Sequence, residues 1–176
     1  MLVSYNWLKD YLGENIPPVT KLTELLTLHS FEIEEVNNLE DDTLIDIKIL
    51  PDRAGDCLSH RGIAREIATL LNISLNNDPL SEKVDLPSTD NFLITIENKK
   101  DCSRFMVAHI TDVEIKPSPK WLQERLMIIG QKPINNIVDA TNYVMYSLGQ
   151  PMHAYDADLF AKTTNNKWHF IIRKAK

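Results

Sequence analysis

The sequence predicts an α+β protein, on three observations. Several segments set apolar residues at helical spacing between a capping residue and a glycine stop. Others, led by Ile45, Ile47 and Ile49 alternating with Asp46 and Lys48, have the period of a half-buried strand. No internal repeat, P-loop, dinucleotide fingerprint or metal-binding motif accompanies them, so nothing calls for a regular strand–helix alternation.

Taken in order, Ser4 is placed to cap a helix carrying Trp7, Leu8, Tyr11 and Leu12 on one face, with Gly13 as its stop. Pro17-Pro18 stiffens the connection to a second helix beginning at Thr20, with Leu22, Leu25, Leu26 and His29 in one stripe. Phe31, Ile33 and Val36 suggest a short strand. Asn37 to Asp42 reads as an acidic loop before the strand at 45–49. Ser59 is placed to cap a helix bearing Ile63, Ile67, Leu70 and Leu71. Arg53, Asp56, His60 and Arg61 crowd its start. They either gather an anion at the helix N-terminus or leave Arg53 and Asp56 simply paired.

Residues 73–91 are rich in Asn, Asp, Pro and Ser without a period and read as a linker, narrowed to 76–88. Segments 92–97 and 104–115 both read as strands of one sheet, with His109 as a packing residue in the second. Ser118-Pro119 starts a helix that Gly130 ends, with Trp121, Leu122, Leu126 and Ile129 as its buried stripe. A last strand is expected around 167–175.

The bulk numbers bound the function. A chain of 176 residues with 43% hydrophobic content is long enough for one ordinary domain or two small ones. No run approaches the ~20 apolar residues of a membrane span, and the start does not have the pattern of a signal peptide. Cys57 and Cys102 lack metal-ligand spacing and read as reduced thiols of a cytoplasmic protein. The net charge of −6 is unevenly spread. Residues 1–88 hold 7 Lys+Arg and 16 Asp+Glu, a balance of −9, and residues 89–176 hold 12 and 9, a balance of +3. The acidic half is a poor nucleic-acid surface by itself.

The densest polar stretch is Gln131–Asp156, QKPINNIVDATNYVMYSLGQPMHAYD. Asn135 or Asn136 caps a helix over Ile137–Leu148, Asp139 favours its positive end, and Gly149 with Pro151 stops it. Ile137, Thr141, Val144 and Leu148 form the expected inward stripe. Trp121, Leu126, Val144 and Leu148 are expected in one buried cluster. Thr141, Asn142 and, after the turn, His153 are candidates to converge on one pocket. Against this stands the ordinary behaviour of a helical Thr, which bonds its own backbone.

VDATNYVMYSLGQPMHAYDAD resembles the editing-domain signature of bacterial phenylalanyl-tRNA synthetase beta subunits. SPKWLQERLMIIGQKPINN continues that likeness, DCLSHRGIAREIA resembles a second signature, and SYNWLKDYL resembles the family's first helix. The resemblance implies an N-terminal α+β module at 1–75, a linker at 76–88, and the first part of a mixed α/β editing domain at 89–176. It implies phenylalanine–tRNA ligase activity, with ATP and Mg used by the whole enzyme, an alpha subunit and tRNA(Phe) as partners, and hydrolysis of Tyr-tRNA(Phe) in the editing region. Thr141 and Asn142 then correspond to substrate-binding positions and His153 to the catalytic histidine of editing, positioning water or acting as base.

The sequence departs from the family in two places. A tRNA-binding barrel usual between the first helical hairpin and the strand near 44–50 is replaced by the short acidic loop. The Glu and the small-residue loop that complete the family's pocket lie beyond the 23 residues that follow His153 (176 − 153). These departures suggest a fragment with an incomplete editing site. The alternative is a non-catalytic RNA- or protein-binding module of the same fold.

Overall fold

The computed structural model describes residues 1–85, 88–160 and 162–175. The chain forms two compact units, one from Met1–Glu82 with Ile115–Ala154, the other from Lys83–Glu114 with Tyr155–Lys176.

In the first unit, β1 (Leu2–Ser4) runs into α1 (Tyr5–Leu12). The Ser4 hydroxyl accepts from the Trp7 amide at 3.0 Å, and Gly13 closes the helix at φ 63°, a conformation that suits glycine. Trp7, Leu8, Tyr11 and Leu12 are all buried, as their spacing requires. Helix α2 (Val19–His29) buries Leu22 and Leu26 but leaves His29 exposed. Strands β2 (Glu32–Asn38) and β3 (Thr43–Lys48) follow. The sheet order is β1-β3-β2, antiparallel throughout, with Val3 opposite Ile45 and Ile33 opposite Ile47. Ile45 and Ile47 face the core from the central strand.

The turn between β2 and β3 is short, closed by the Leu39 amide on the Asp42 carbonyl at 2.8 Å. Asp42 then accepts from the Ser4 hydroxyl at 2.6 Å and the Asn6 amide at 2.9 Å. The turn therefore finishes the capping of α1. After a 3₁₀ turn over Pro51–Arg53, the short α3 (Ala54–Cys57) leads to α4 (His60–Leu71), capped by Ser59, whose hydroxyl accepts from the Gly62 amide at 3.0 Å. Gly62 is required by proximity. A Cβ there would stand 2.1 Å from the Asp56 carbonyl oxygen and 2.9 Å from the Cys57 Cα.

Helices α5 (Lys120–Ile128) and α6 (Asn136–Leu148) complete this unit. Ile129, Tyr143 and Tyr146 join the core built on Trp7, Leu8, Ile45, Ile63 and Ile67. The compact units thus part the chain along a different line from modules at 1–75 and 89–176. The aromatic side chains of α6 find their apolar partners on α1 and α4, so residues 115–154 pack with the first unit.

In the second unit, β4 (Phe92–Ile96) and β5 (Trp168–Ile172) pair in parallel, Phe92 opposite Trp168 and Ile96 opposite Ile172. Phe92, Trp168, Phe170 and His109 cluster, with His109 4.7 Å from the Trp168 ring. His109 is exposed and lies outside any strand, and it meets this cluster through ring contacts alone. The expected linker at 76–88 is irregular wherever it is described, and residues 86 and 87 lie outside the described residues.

Three expectations are corrected. Residues 104–115 form no strand. A strand needs a ladder partner for its amides and carbonyls, and this segment pairs with none of the described residues despite its β-branched composition. Trp121 is 55% exposed, although Leu122, Leu126 and Ile129 are buried as expected. It lies on the flank of that stripe, edge-on to Tyr143 at 5.5 Å. The inward face of α6 is not Ile137–Thr141–Val144–Leu148, which is half-buried, but Asp139, Tyr143, Tyr146 and Ser147. Polar groups can take the inside when each finds a hydrogen-bond partner, and the Asp139 and Ser147 side chains do. The Ser118 hydroxyl and the Ile134 amide donate to Asp139 at 2.5 and 2.8 Å. Ser147 meets the Tyr11 hydroxyl at 2.5 Å.

Candidate functional site

Helix α6 begins as its residues dictate. The Asn135 side-chain oxygen accepts from the Ile137 and Val138 amides at 3.1 and 3.0 Å, which settles the cap in favour of Asn135 over Asn136. Gly149 ends it at φ 81°, with its amide on the Met145 carbonyl at 2.8 Å. Thr141 and Asn142 lie side by side at the middle of this helix, both half-buried. His153 lies in the exposed loop that follows the helix.

The Thr141 hydroxyl donates to the Val138 carbonyl at 2.7 Å, the back-bond usual for a helical Thr. Its hydrogen is spent and its oxygen keeps acceptor capacity. The Asn142 side-chain amide makes no hydrogen bond to any described residue, so it retains both donor and acceptor capacity on a half-buried flank. Two shallow concavities elsewhere in the first unit, one between Phe31, Leu50 and Arg53 and one along Arg65, Thr69 and Ser74, include none of Thr141, Asn142 and His153.

The crowd at the start of α4 is structural. Arg53 grips Asp56 with two guanidinium nitrogens at 2.9 and 3.2 Å and reaches Glu66 at 2.8 Å. Arg61 holds Asp78 at 2.6 and 2.7 Å. These bonds, first among the causes, hold all three carboxylates below their usual range. The arginines are thus occupied by carboxylates, and the Arg53–Asp56 pairing replaces the anion reading. Cys57 is buried, and burial pushes its thiol up to about 11, so it stays protonated near neutral pH. Among the described residues, no group of three or more His, Cys, Asp or Glu side chains is arranged to hold a metal ion.

Sequence reasoning counted His60 only in the crowd at the start of α4 and missed its buried role. It is fully buried and stacks on Trp7 with centroids 3.9 Å apart. Its Nε2 accepts from the Ser4 amide at 3.1 Å, and its Nδ1 lies 2.9 Å from the Tyr146 carbonyl oxygen on α6. A backbone amide can only donate, so Nε2 holds a lone pair and the neutral ring carries its hydrogen on Nδ1. The one available signal was its position immediately after a Ser cap, at the start of a strongly amphipathic helix.

Residues 101–176 match the B3/4 domain family. The whole chain is similar to the phenylalanine–tRNA ligase beta subunit of Rhodopirellula baltica, at 38% identity over all of this chain and 25% of that relative. It is also similar to the corresponding subunits of Clostridium acetobutylicum, at 44% identity over 82% of this chain and 18% of the relative, and Carboxydothermus hydrogenoformans, at 42% over 82% and 17%. The chain therefore spans a quarter or less of the length of these relatives. No helix among the described residues is long and apolar enough to cross a membrane.

Proposed function

This chain belongs to the phenylalanine–tRNA ligase beta-subunit family, matching an N-terminal part of it, and from that premise we propose that it serves the editing region of a cytoplasmic phenylalanine–tRNA ligase. In this reading residues 1–75 are the N-terminal module and residues 89–176 the first part of the editing domain. The whole enzyme joins phenylalanine to tRNA(Phe) with ATP and Mg in complex with an alpha subunit. ATP and Mg belong in this reading to other parts of the enzyme.

The chemistry required is discrimination followed by ester hydrolysis. A pocket shaped for phenylalanine cannot strongly reject an analogue that merely adds a hydroxyl, so a second site must select and hydrolyse the mistake. The observation that carries the proposal is the unspent Asn142 amide beside Thr141. The amide offers a donor and an acceptor to the aminoacyl ester end of tRNA, and the Thr141 oxygen offers an acceptor to its hydroxyl or ammonium groups. His153, on the loop beyond Gly149, is the candidate to hold or deprotonate the attacking water.

The test compares Tyr-tRNA(Phe) deacylation by this chain with that of a chain carrying the downstream sequence of the relatives. The expected result is little or no hydrolysis by the shorter chain. Small misplacement of water and ester removes about two orders of magnitude in rate, and the family's remaining pocket residues lie downstream. His153→Ala should then slow the longer chain. Equal activity in both chains would overturn the assignment of downstream residues. No activity in either would favour a non-catalytic binding module.

A further inference from the structure

We propose that His60 and Tyr11 are positioning residues for the Thr141–Asn142–His153 site, acting through the C-terminal turn of α6. The proposal rests on the reading of that site given above. An α-helix leaves its last four carbonyls without partners inside the helix, and in α6 these belong to Met145–Leu148. Gly149 takes the Met145 carbonyl. The next two are taken by side chains from other helices. His60 on α4 donates Nδ1–H to the Tyr146 carbonyl at 2.9 Å. The Tyr11 hydroxyl on α1 lies 3.4 Å from the Ser147 carbonyl and 2.5 Å from the Ser147 hydroxyl.

His60 is built for this task. The Ser4 amide fixes its tautomer, the Trp7 ring at 3.9 Å and 17° fixes its plane, and both ring nitrogens are used. Immediately beyond the capped turn, Gly149 packs against Ser59, the neighbour of His60. A Cβ on Gly149 would lie 3.4 Å from the Ser59 Cβ. The direction in which the chain leaves α6 is therefore set by α1 and α4. His153 follows four residues after Gly149, while Thr141 and Asn142 lie upstream on the same helix. Loosening the turn shifts His153 relative to that pair without touching any of the three.

The test uses the full-length beta subunit assembled with its alpha subunit. Deacylation of Tyr-tRNA(Phe) is measured for the wild type, Tyr11→Phe, His60→Asn and His60→Gln. Phenylalanine charging by the same preparations reports that each variant is folded and assembled. The Asn amide nitrogen occupies the place of Nδ1 and can still donate to Tyr146, whereas the Gln amide occupies the place of Nε2. The expected result is that His60→Asn keeps kcat within about threefold. His60→Gln should lower kcat about tenfold or more with little change in KM, a smaller loss than the roughly hundredfold reached by a 1 Å misplacement. Tyr11→Phe should lower kcat in the same direction, and it decides the matter if both His60 variants fail to assemble. Wild-type kcat in every folded variant overturns the proposal alone. Equal losses in His60→Asn and His60→Gln overturn it too, because they report lost packing and not a lost donor. Absence of deacylation in the wild type overturns the site reading, and this proposal with it.

Discussion

The His60 imidazole lies 2.9 Å from the Tyr146 carbonyl oxygen, joining residues 86 positions apart through a fully buried ring. Burial, with the Arg125 guanidinium adding to it, pushes His60 down to about 4 against the opposing effect of the Tyr146 bond. In the unfolded chain a histidine titrates near ~6.5. The unfolded state therefore takes up a proton that the folded state excludes. The stability contributed by neutral His60 is full above about 6.5 and is lost as pH falls from there toward about 4. The slope approaches ~1.4 kcal/mol per pH unit. Denaturant midpoints between pH 7 and 5 should fall in the wild type and fall less in His60→Asn. The paired carboxylates, whose own losses come at lower pH, provide the common background. Equal slopes would show that His60 is not the group responsible.

Gly62→Ala should be strongly destabilising. The added carbon meets the Asp56 carbonyl oxygen at 2.1 Å and the Cys57 Cα at 2.9 Å, and both are backbone atoms that cannot rotate away. Separating α3 from α4 should cost at least about 1–3 kcal/mol, the usual range for overpacking. Thermal unfolding of the variant measures it. Gly55, with nothing within 4 Å of its built Cβ, supplies the control, and Gly55→Ala should be close to neutral.

Leu126→Ala and Trp121→Ala should rank opposite to side-chain size. Leu126 is fully buried and Trp121 is 55% exposed. Leu126→Ala should cost about 2–5 kcal/mol by lost transfer energy and the cavity left behind. Trp121→Ala forfeits mainly one edge-on contact with Tyr143, worth about 1 kcal/mol. Equilibrium urea unfolding of the two variants gives the order.

Binding of tRNA by this chain should be weak and should depend strongly on salt, tightening as salt is lowered. The first 88 residues carry a balance of −9 (7 − 16), and the family resemblance implies a tRNA-binding barrel where this chain has only the turn over Leu39–Asp42. Contact with tRNA phosphates is electrostatic against this acidic background, so what binding there is weakens as salt rises. Filter binding across a salt series is the measurement, and submicromolar affinity that ignores salt would contradict the expectation.

Local signals were legible in the sequence because they act over one helical turn or one strand pair. Ser4, Ser59 and Asn135 cap the helices they precede, Gly13 and Gly149 end theirs with positive φ, and the alternation of Ile45 and Ile47 puts both on the core side. Each works through atoms a few residues apart, so spacing alone determines it. The family signatures were legible for the same reason, as unbroken runs of residues. The tertiary structure alone decided which side of α6 turns inward. Apolar spacing favoured Ile137, Val144 and Leu148, but Ser118 and Ile134 supply donors to Asp139, and Tyr11 supplies a partner to Ser147. Burying a polar group is costly only when it is left without a hydrogen bond, and those partners come from distant parts of the chain. Residues 104–115 mark the converse case. Their β-branched composition suits a strand, but a strand exists only where another segment completes its ladder. His60 depended on both conditions: its side chain is an ordinary imidazole in the sequence, and only packing places the Ser4 amide on one nitrogen and the Tyr146 carbonyl on the other.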